Sequence, residues 1–359
     1  MQLGHEVMCC APSSHYGAPL TWEGVTILPG WRDGTGNDIL LDHYKWSKAD
    51  LVITLCDSYV LNPELVRQMR TAHWIPIDCD PPNFRELANL EQTGALPIAM
   101  SKFGERVLKA QGISPRYVPH AIDIKTFSPP VDHMEQRQAI GLKRDTFVIG
   151  INAYNKDVMR KAFAEQFLAF SLFHKNHPDS VLLVHSAVSD PSSVDLQALA
   201  AATSISGSIL FPDQYAYATG MMSAENMSSW YGSLDILSNC SYGEGFGLPI
   251  VEAQACGTPV VVTDCSSMSE LAGPGWKIHC PEPRSQFWVP AHRGWWHRPD
   301  PSLILKAYEE AWQVREDGKM MELRGKSREF ALGYDADVVL TQRWKPVLDE
   351  IEANLPENE

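Results

Sequence analysis

The sequence predicts an α/β fold with two parallel-sheet domains in tandem. Short β-branched or apolar runs alternate with amphipathic helical stretches in two successive series. The 359 residues, at roughly 150 per domain, suit two domains. A polar, proline-marked stretch, FSPPVDHMEQRQAIGLKRD, separates the series and reads as the connection between them.

In the first series, strands are expected at 6–10, 25–28, 51–55, 74–77, 96–100 and 117–118. In the second they are expected at 147–151, 181–185, 208–211, 236–238, 259–263 and 276–278. The domains are accordingly placed at 1–143 and 144–333. Residues 334–359 follow as an amphipathic helical tail expected to pack back on the first domain. Open parallel sheets bind ligands beyond the carboxyl ends of their strands, so the site is expected in the cleft between the domains.

Composition narrows the function classes. Hydrophobic residues make up 44% and charged residues 21%, ordinary for a globular protein with sizeable cores. The formal net charge is −14 and no dense Lys/Arg run is present, so neither nucleic acid nor an anionic membrane is expected as a partner. No run approaches the roughly 18 apolar residues of a membrane span. The start, MQLGHEVMCC, lacks the basic-then-apolar order of a signal peptide. The eight cysteines are scattered with no CxxC pair and read as buried free thiols, which implies a reducing, cytoplasmic setting.

The most informative segment is 241–264, SYGEGFGLPIVEAQACGTPVVVTD. A strand ends near Cys240, a glycine-rich loop follows, and a helix opens with Pro249 in its first turn, where a missing N–H costs nothing. Gly257 is suited to ending that helix, and the next strand begins just beyond Pro259. Such a loop brings backbone N–H groups and a positive helix end close to an anion. Glu244 in the loop and Glu252 about one turn into the helix can face one crevice.

EGFGLPIVE resembles the paired-glutamate motif of glycosyltransferase family 4, a retaining family with the GT-B fold, in which two Rossmann-like domains face each other across a cleft. The resemblance implies that Glu244 holds hydroxyls of a donor sugar. Gly245, Phe246, Gly247 and Leu248 would line the sugar and diphosphate, and Glu252 would accept hydrogen bonds from the nucleotide ribose. Ionised carboxylates, as pure acceptors, suit such hydroxyls. FVIGINAYNKDVMRKAFAEQF resembles the segment in which a lysine, often after an arginine, binds the donor diphosphate. Lys161 and Arg160 match, and would offset the charge of a departing diphosphate. Relatives often carry a further arginine upstream, where this chain offers Asn152, Asn155 or Lys156. Asn155 is therefore placed with the donor-binding residues. Glu270 in SSMSELAG matches a glutamate that often follows the motif, with ligand binding and helix capping both open.

Other constellations are weaker. WIPIDCDPPNF ends a first-domain strand where relatives carry a histidine or acid. Asp78, with Asp80 second, could orient or deprotonate an acceptor hydroxyl, or cap the strand end. His120 in YVPHAIDIKTF stands where an asparagine or histidine is common, and a structural role is favoured. Trp288, Trp295 and Trp296 read as a packed excursion rather than a sugar platform. His292 and His297 lack a third ligand or neighbouring carboxylate in sequence, and no DxD pair is suitably placed, so no metal site is expected. FPDQYAY, 211–217, is expected to approach the nucleotide base.

LGHEV at 3–7 resembles a stretch that relatives reach only after a first strand, loop and helix, which implies a shortened N-terminus and a gap that a neighbouring subunit could cover. The function implied is metal-independent transfer of a hexose from a UDP- or GDP-sugar to a hydroxyl acceptor, with no cofactor beyond that donor. The alternative is a nucleotide-sugar-binding protein with little or no transfer.

Overall fold

The computed structural model describes residues 2–189 and 192–355. The second half is one sheet of six parallel strands: β8 (Phe147–Asn152), β9 (Ser180–His185), β10 (Ile209–Leu210), β11 (Ile236–Asn239), β12 (Val260–Thr263) and β13 (Trp276–Ile278). Their order, β10-β9-β8-β11-β12-β13, reverses direction between β8 and β11. That switch point opens a crevice beyond the carboxyl ends of these two strands.

Helices cover both faces of this sheet, so its strands read as nearly continuous apolar runs. Phe167, Phe170 and Phe173 of the helix Phe163–Asn176 pack with Tyr308 of the helix Pro301–Glu316 on one side. Ile250 and Val251 of the helix Leu248–Ala255 pack with Met268 and Leu271 on the other.

The first half departs from the single parallel sheet expected. Its strands form two sheets. β1 (Met8–Tyr16), β2 (Leu20–Trp22) and β3 (Val25–Gly30) form one, in the order β1-β3-β2. β1 and β3 run parallel, whereas β2 and β3 are antiparallel. The two residues between β2 and β3, Glu23 and Gly24, both have positive φ (48° and 79°), the requirement of the tight hairpin turn. β4 (Val52–Leu55), β5 (Thr71–Ile75), β6 (Leu96–Ala99) and β7 (Arg116–Tyr117) form the other, parallel and in chain order. β5 starts earlier than expected. His73 sits fully buried in it and meets Thr54 of β4 directly opposite, Oγ1 to Nδ1 at 2.7 Å.

Two segments tie the halves together. A hairpin of β14 (Gln286–Val289) and β15 (Gly294–His297) follows β13 and reaches the first half, where the Trp295 N–H donates to the Asp80 carbonyl at 3.1 Å. The Phe84 N–H likewise donates to the His292 carbonyl at 3.2 Å. The tail then crosses back: Val339, Trp344, Val347 and Ile351 cover Ala72, Ile98 and Val118 of the first-half sheet. Among the described residues no helix is long and apolar enough to cross a membrane, and all eight cysteines are free thiols.

Candidate active site

A cavity of about 700 Å³ lies at the switch point, between the loops after β8 and β11 and the ends of β4 and β5. The loop after β8 is shaped by Asp157, whose carboxylate accepts from the N–H groups of Met159 (2.8 Å) and Arg160 (2.9 Å). The Arg160 carbonyl accepts from the Tyr242 N–H at 2.8 Å, which fastens this loop to the one after β11. Lys161 and Arg160 thereby reach Glu244. Lys161 Nζ stands 2.5 Å from one carboxylate oxygen and Arg160 Nη1 stands 3.0 Å from the other. Ser241 Oγ donates a further bond at 2.6 Å.

Glu244 is 7% exposed. Burial alone would raise its pKa, but the two cations outweigh it and hold the carboxyl at about 2. Burial pushes the Lys161 ammonium down, with Glu244 opposing. Glu244 takes one of the two positive charges, and Asp78 and Asp157 act on Arg160 from farther off. Beside them, the helix Leu248–Ala255 begins at Gly247, with φ of +112° and no side chain capping that end. Gly245, Phe246, Gly247 and Leu248 all line the cavity next to this positive helix end. An anion fits there.

The glycines do more than approach a ligand. A Cβ on Gly245 would lie 2.4 Å from Pro76 Cβ, and one on Gly243 would lie 2.4 Å from the Asp78 carbonyl oxygen. The loop after β11 is thus pressed against the end of β5 from the opposite half, a contact that the phosphate reading of the glycines missed.

Glu252 lies deeper. The Tyr231 hydroxyl donates to it at 2.7 Å, Asn152 Nδ2 donates to that hydroxyl at 2.6 Å, and His185 Nδ1 is 3.0 Å from Asn152 Oδ1. Burial pushes the Glu252 carboxyl up from its ordinary value.

Two expected donor-binding residues are placed elsewhere. Asn155 is 1% exposed; its amide donates to the carbonyls of Ala187 (3.0 Å) and Val194 (2.8 Å) and accepts from the Val194 N–H. Its bonding capacity is spent on holding a loop. Glu270 accepts from the N–H groups of Lys102 (2.8 Å) and Phe103 (3.2 Å), so it caps the helix Lys102–Ala110 across the domain boundary. Both look like ligands in sequence because polar side chains near a motif carry no sign of which backbone groups will reach them.

On the first-half wall, Asp78 lines the cavity, with His292 Nδ1 3.9 Å from its carboxylate. Asp80 points away and pairs with Arg106 at 3.4 Å. His120 lies between Trp74 and Phe246, at 4.3 and 5.1 Å between ring centroids, and burial pushes it down to about 4, so it is neutral. Trp296 is buried, whereas Trp288 and Trp295 pack edge-on at 4.9 Å near the surface. Asp78, Cys79 and His292 have ligand atoms within 4.8 Å of one another, a proximity that sequence spacing could not reveal. Burial, reinforced by Asp78, pushes the Cys79 thiol up.

Two acids on this wall escaped the sequence reading. Asp57 follows β4, and burial pushes its carboxyl up, with Asp78 adding to the effect. Glu86, from the helix Phe84–Thr93, accepts two bonds from the Ser58 N–H (3.0 and 3.1 Å) and holds the turn that carries Asp57. Burial raises Glu86 to about 8. The position of Asp57 at a parallel strand's carboxyl end was the available signal.

Residues 170–291 match the family model described as glycosyl transferases group 1. The chain is similar to the lipopolysaccharide core biosynthesis mannosyltransferase LpsB of Rhizobium meliloti (strain 1021), 30% identical over 162 residues, which cover 44% of this chain and 42% of that one. It is 28% identical over 202 residues to the D-inositol 3-phosphate glycosyltransferase of Paenarthrobacter aurescens (strain TC1), covering 55% and 44%. The matched stretch is less than half the length of either relative. Among solved structures, sucrose-phosphate synthase from Thermosynechococcus elongatus superposes with a TM-score of 0.75 at 15% identity, covering 98% of this chain and 91% of that one. Anabaena HepE in complex with UDP-glucose superposes with a TM-score of 0.67 at 14% identity, covering 91% and 86%. The chain has the GT-B fold, and its residues 170–291 are similar to the glycosyl transferases group 1 model.

Proposed function

We propose that this chain is a retaining glycosyltransferase that moves a hexose from a UDP- or GDP-sugar to a hydroxyl acceptor. One observation carries the reading: Lys161 and Arg160 converge on Glu244 beside the uncapped start of the helix Leu248–Ala255, inside the interdomain cavity. The similar structure of HepE supports it, since that protein is in complex with UDP-glucose or with UDP. The relatives' names point to mannosyl and other glycosyl transfer but not to one acceptor.

In this mechanism the donor diphosphate displaces Glu244 as the partner of Lys161 and Arg160. Those cations and the helix end then stabilise the charge that builds on the leaving nucleoside diphosphate. The reading needs no metal, because positive charge is already supplied where the anion departs. Glu244, released from its pairs, accepts bonds from the donor sugar hydroxyls, and Glu252 takes the ribose with Tyr231 behind it. The acceptor oxygen attacks the face from which the diphosphate leaves, and Asp78 receives or orients its proton. No side-chain nucleophile is assigned.

Titration with UDP-glucose and GDP-mannose, followed by thermal shift, tests this. One donor should stabilise the protein, and Lys161→Ala should abolish the shift. Unchanged donor affinity in both Lys161→Ala and Glu252→Ala contradicts the reading.

A further inference from the structure

The two walls of the cavity differ in charge, and the difference bears on the acceptor. The lysines and arginines that line it, Lys156, Arg160 and Lys161, all come from the loop after β8. The first half contributes Asp57 and Asp78, together with Glu86, which burial keeps largely protonated near neutral pH, and no lysine or arginine. Two ring nitrogens on the hairpin side of this wall, His292 Nδ1 and Trp296 Nε1, are buried without a hydrogen-bond partner. Trp296 is 5% exposed, and its indole N–H can only donate.

Carboxylates that accept, beside the Trp296 N–H and the Asn83 amide, complement hydroxyl groups, which both donate and accept. They do not complement a phosphate, which calls for cations or several N–H groups. We propose that this wall selects an uncharged sugar or polyol as acceptor and rejects phosphorylated or carboxylated ones. The inference rests on the donor reading above, in which a nucleoside diphosphate occupies Lys161 and Arg160 and leaves the acceptor facing Asp57 and Asp78. Like charges brought together across such a site raise the cost of binding steeply.

The test uses two matched pairs, myo-inositol with its 3-phosphate and glucose with glucose 6-phosphate. Each is titrated near neutral pH into protein saturated with UDP or GDP, whichever nucleotide the donor titration selects, and followed by saturation-transfer NMR and calorimetry. In at least one pair the neutral member should bind about tenfold or more tightly. Asp57→Asn should shrink that ratio, and adding Asp78→Asn should bring it close to unity. Equal affinity within both pairs, tighter binding of the phosphorylated members, or binding of none of the four overturns the proposal. Failure of the donor reading registers separately, as the absence of a thermal shift with both UDP-glucose and GDP-mannose in the preceding titration.

Discussion

The wall proposed to hold the donor and the wall proposed to face the acceptor, called the donor and acceptor walls below, answer the same problem, charge held out of water, in opposite ways. On the donor wall Glu244 is ionised and surrounded by Lys161, Arg160 and Ser241, with every partner within 3.0 Å. On the acceptor wall burial raises the carboxyl groups of Asp57 and Glu86, and His292 and Trp296 have ring nitrogens with no partner. One wall is assembled before a ligand arrives. The other holds capacity that a ligand's hydroxyls would complete.

The largest effect should follow from breaking the assembled wall. Lys161→Ala removes a partner from a carboxylate buried at 9% side-chain exposure, and losing one member of a buried pair costs about 3 kcal/mol or more. Denaturant unfolding should show it, and Lys161→Met should recover packing but not donor binding. Next comes the joint between the walls. Gly245→Ala drives a Cβ to 2.4 Å from Pro76, and overpacking of this kind costs about 1–3 kcal/mol. Gly207→Ala, with nothing within 4 Å, is the matching control and should leave unfolding unchanged.

Acidity separates the walls further. Glu244, depressed to about 2, stabilises the fold above its ordinary 4.5, and this is lost as pH falls towards 2. Glu86, raised to about 8, works the other way: between 4.5 and 8 the native state binds more protons than the unfolded one, so stability falls as pH rises. Glu86→Gln should flatten that alkaline decline in urea titrations repeated across pH, and an unchanged slope would contradict the assignment. The smallest effect belongs to Glu270→Gln, which weakens a helix cap by about 1 kcal/mol and should leave donor affinity untouched.

The second half was legible because its strands are buried on both faces and read as apolar runs between punctuated helices. The run from Gly243 to Gly257 disclosed a loop, a helix start and a helix end. What stayed hidden depended on the other half of the molecule. Gly243 and Gly245 are glycine partly because Pro76 and Asp78 press against them. Arg137, in the polar stretch that connects the two series, is 2% exposed and pairs with Asp235 at 2.7 Å. The hairpin β14–β15 looked like a surface excursion because its strands are short and its aromatic residues face both ways. Asn155 was misplaced, and Glu270 stayed open between ligand binding and capping, for one shared reason: their partners are backbone groups, which every residue possesses.

The crossing tail has a consequence for synthesis on the ribosome. The apolar face formed by Ala72, Ile98 and Val118 is closed by Val339, Trp344 and Val347, made more than two hundred residues later. Throughout that interval the nascent first half carries an uncovered greasy flank while the donor half emerges and folds behind it. Its maturation therefore waits on translation of the tail, and a ribosome that stalls before residue 339 leaves a chain whose earliest-made sheet is still open to aggregation.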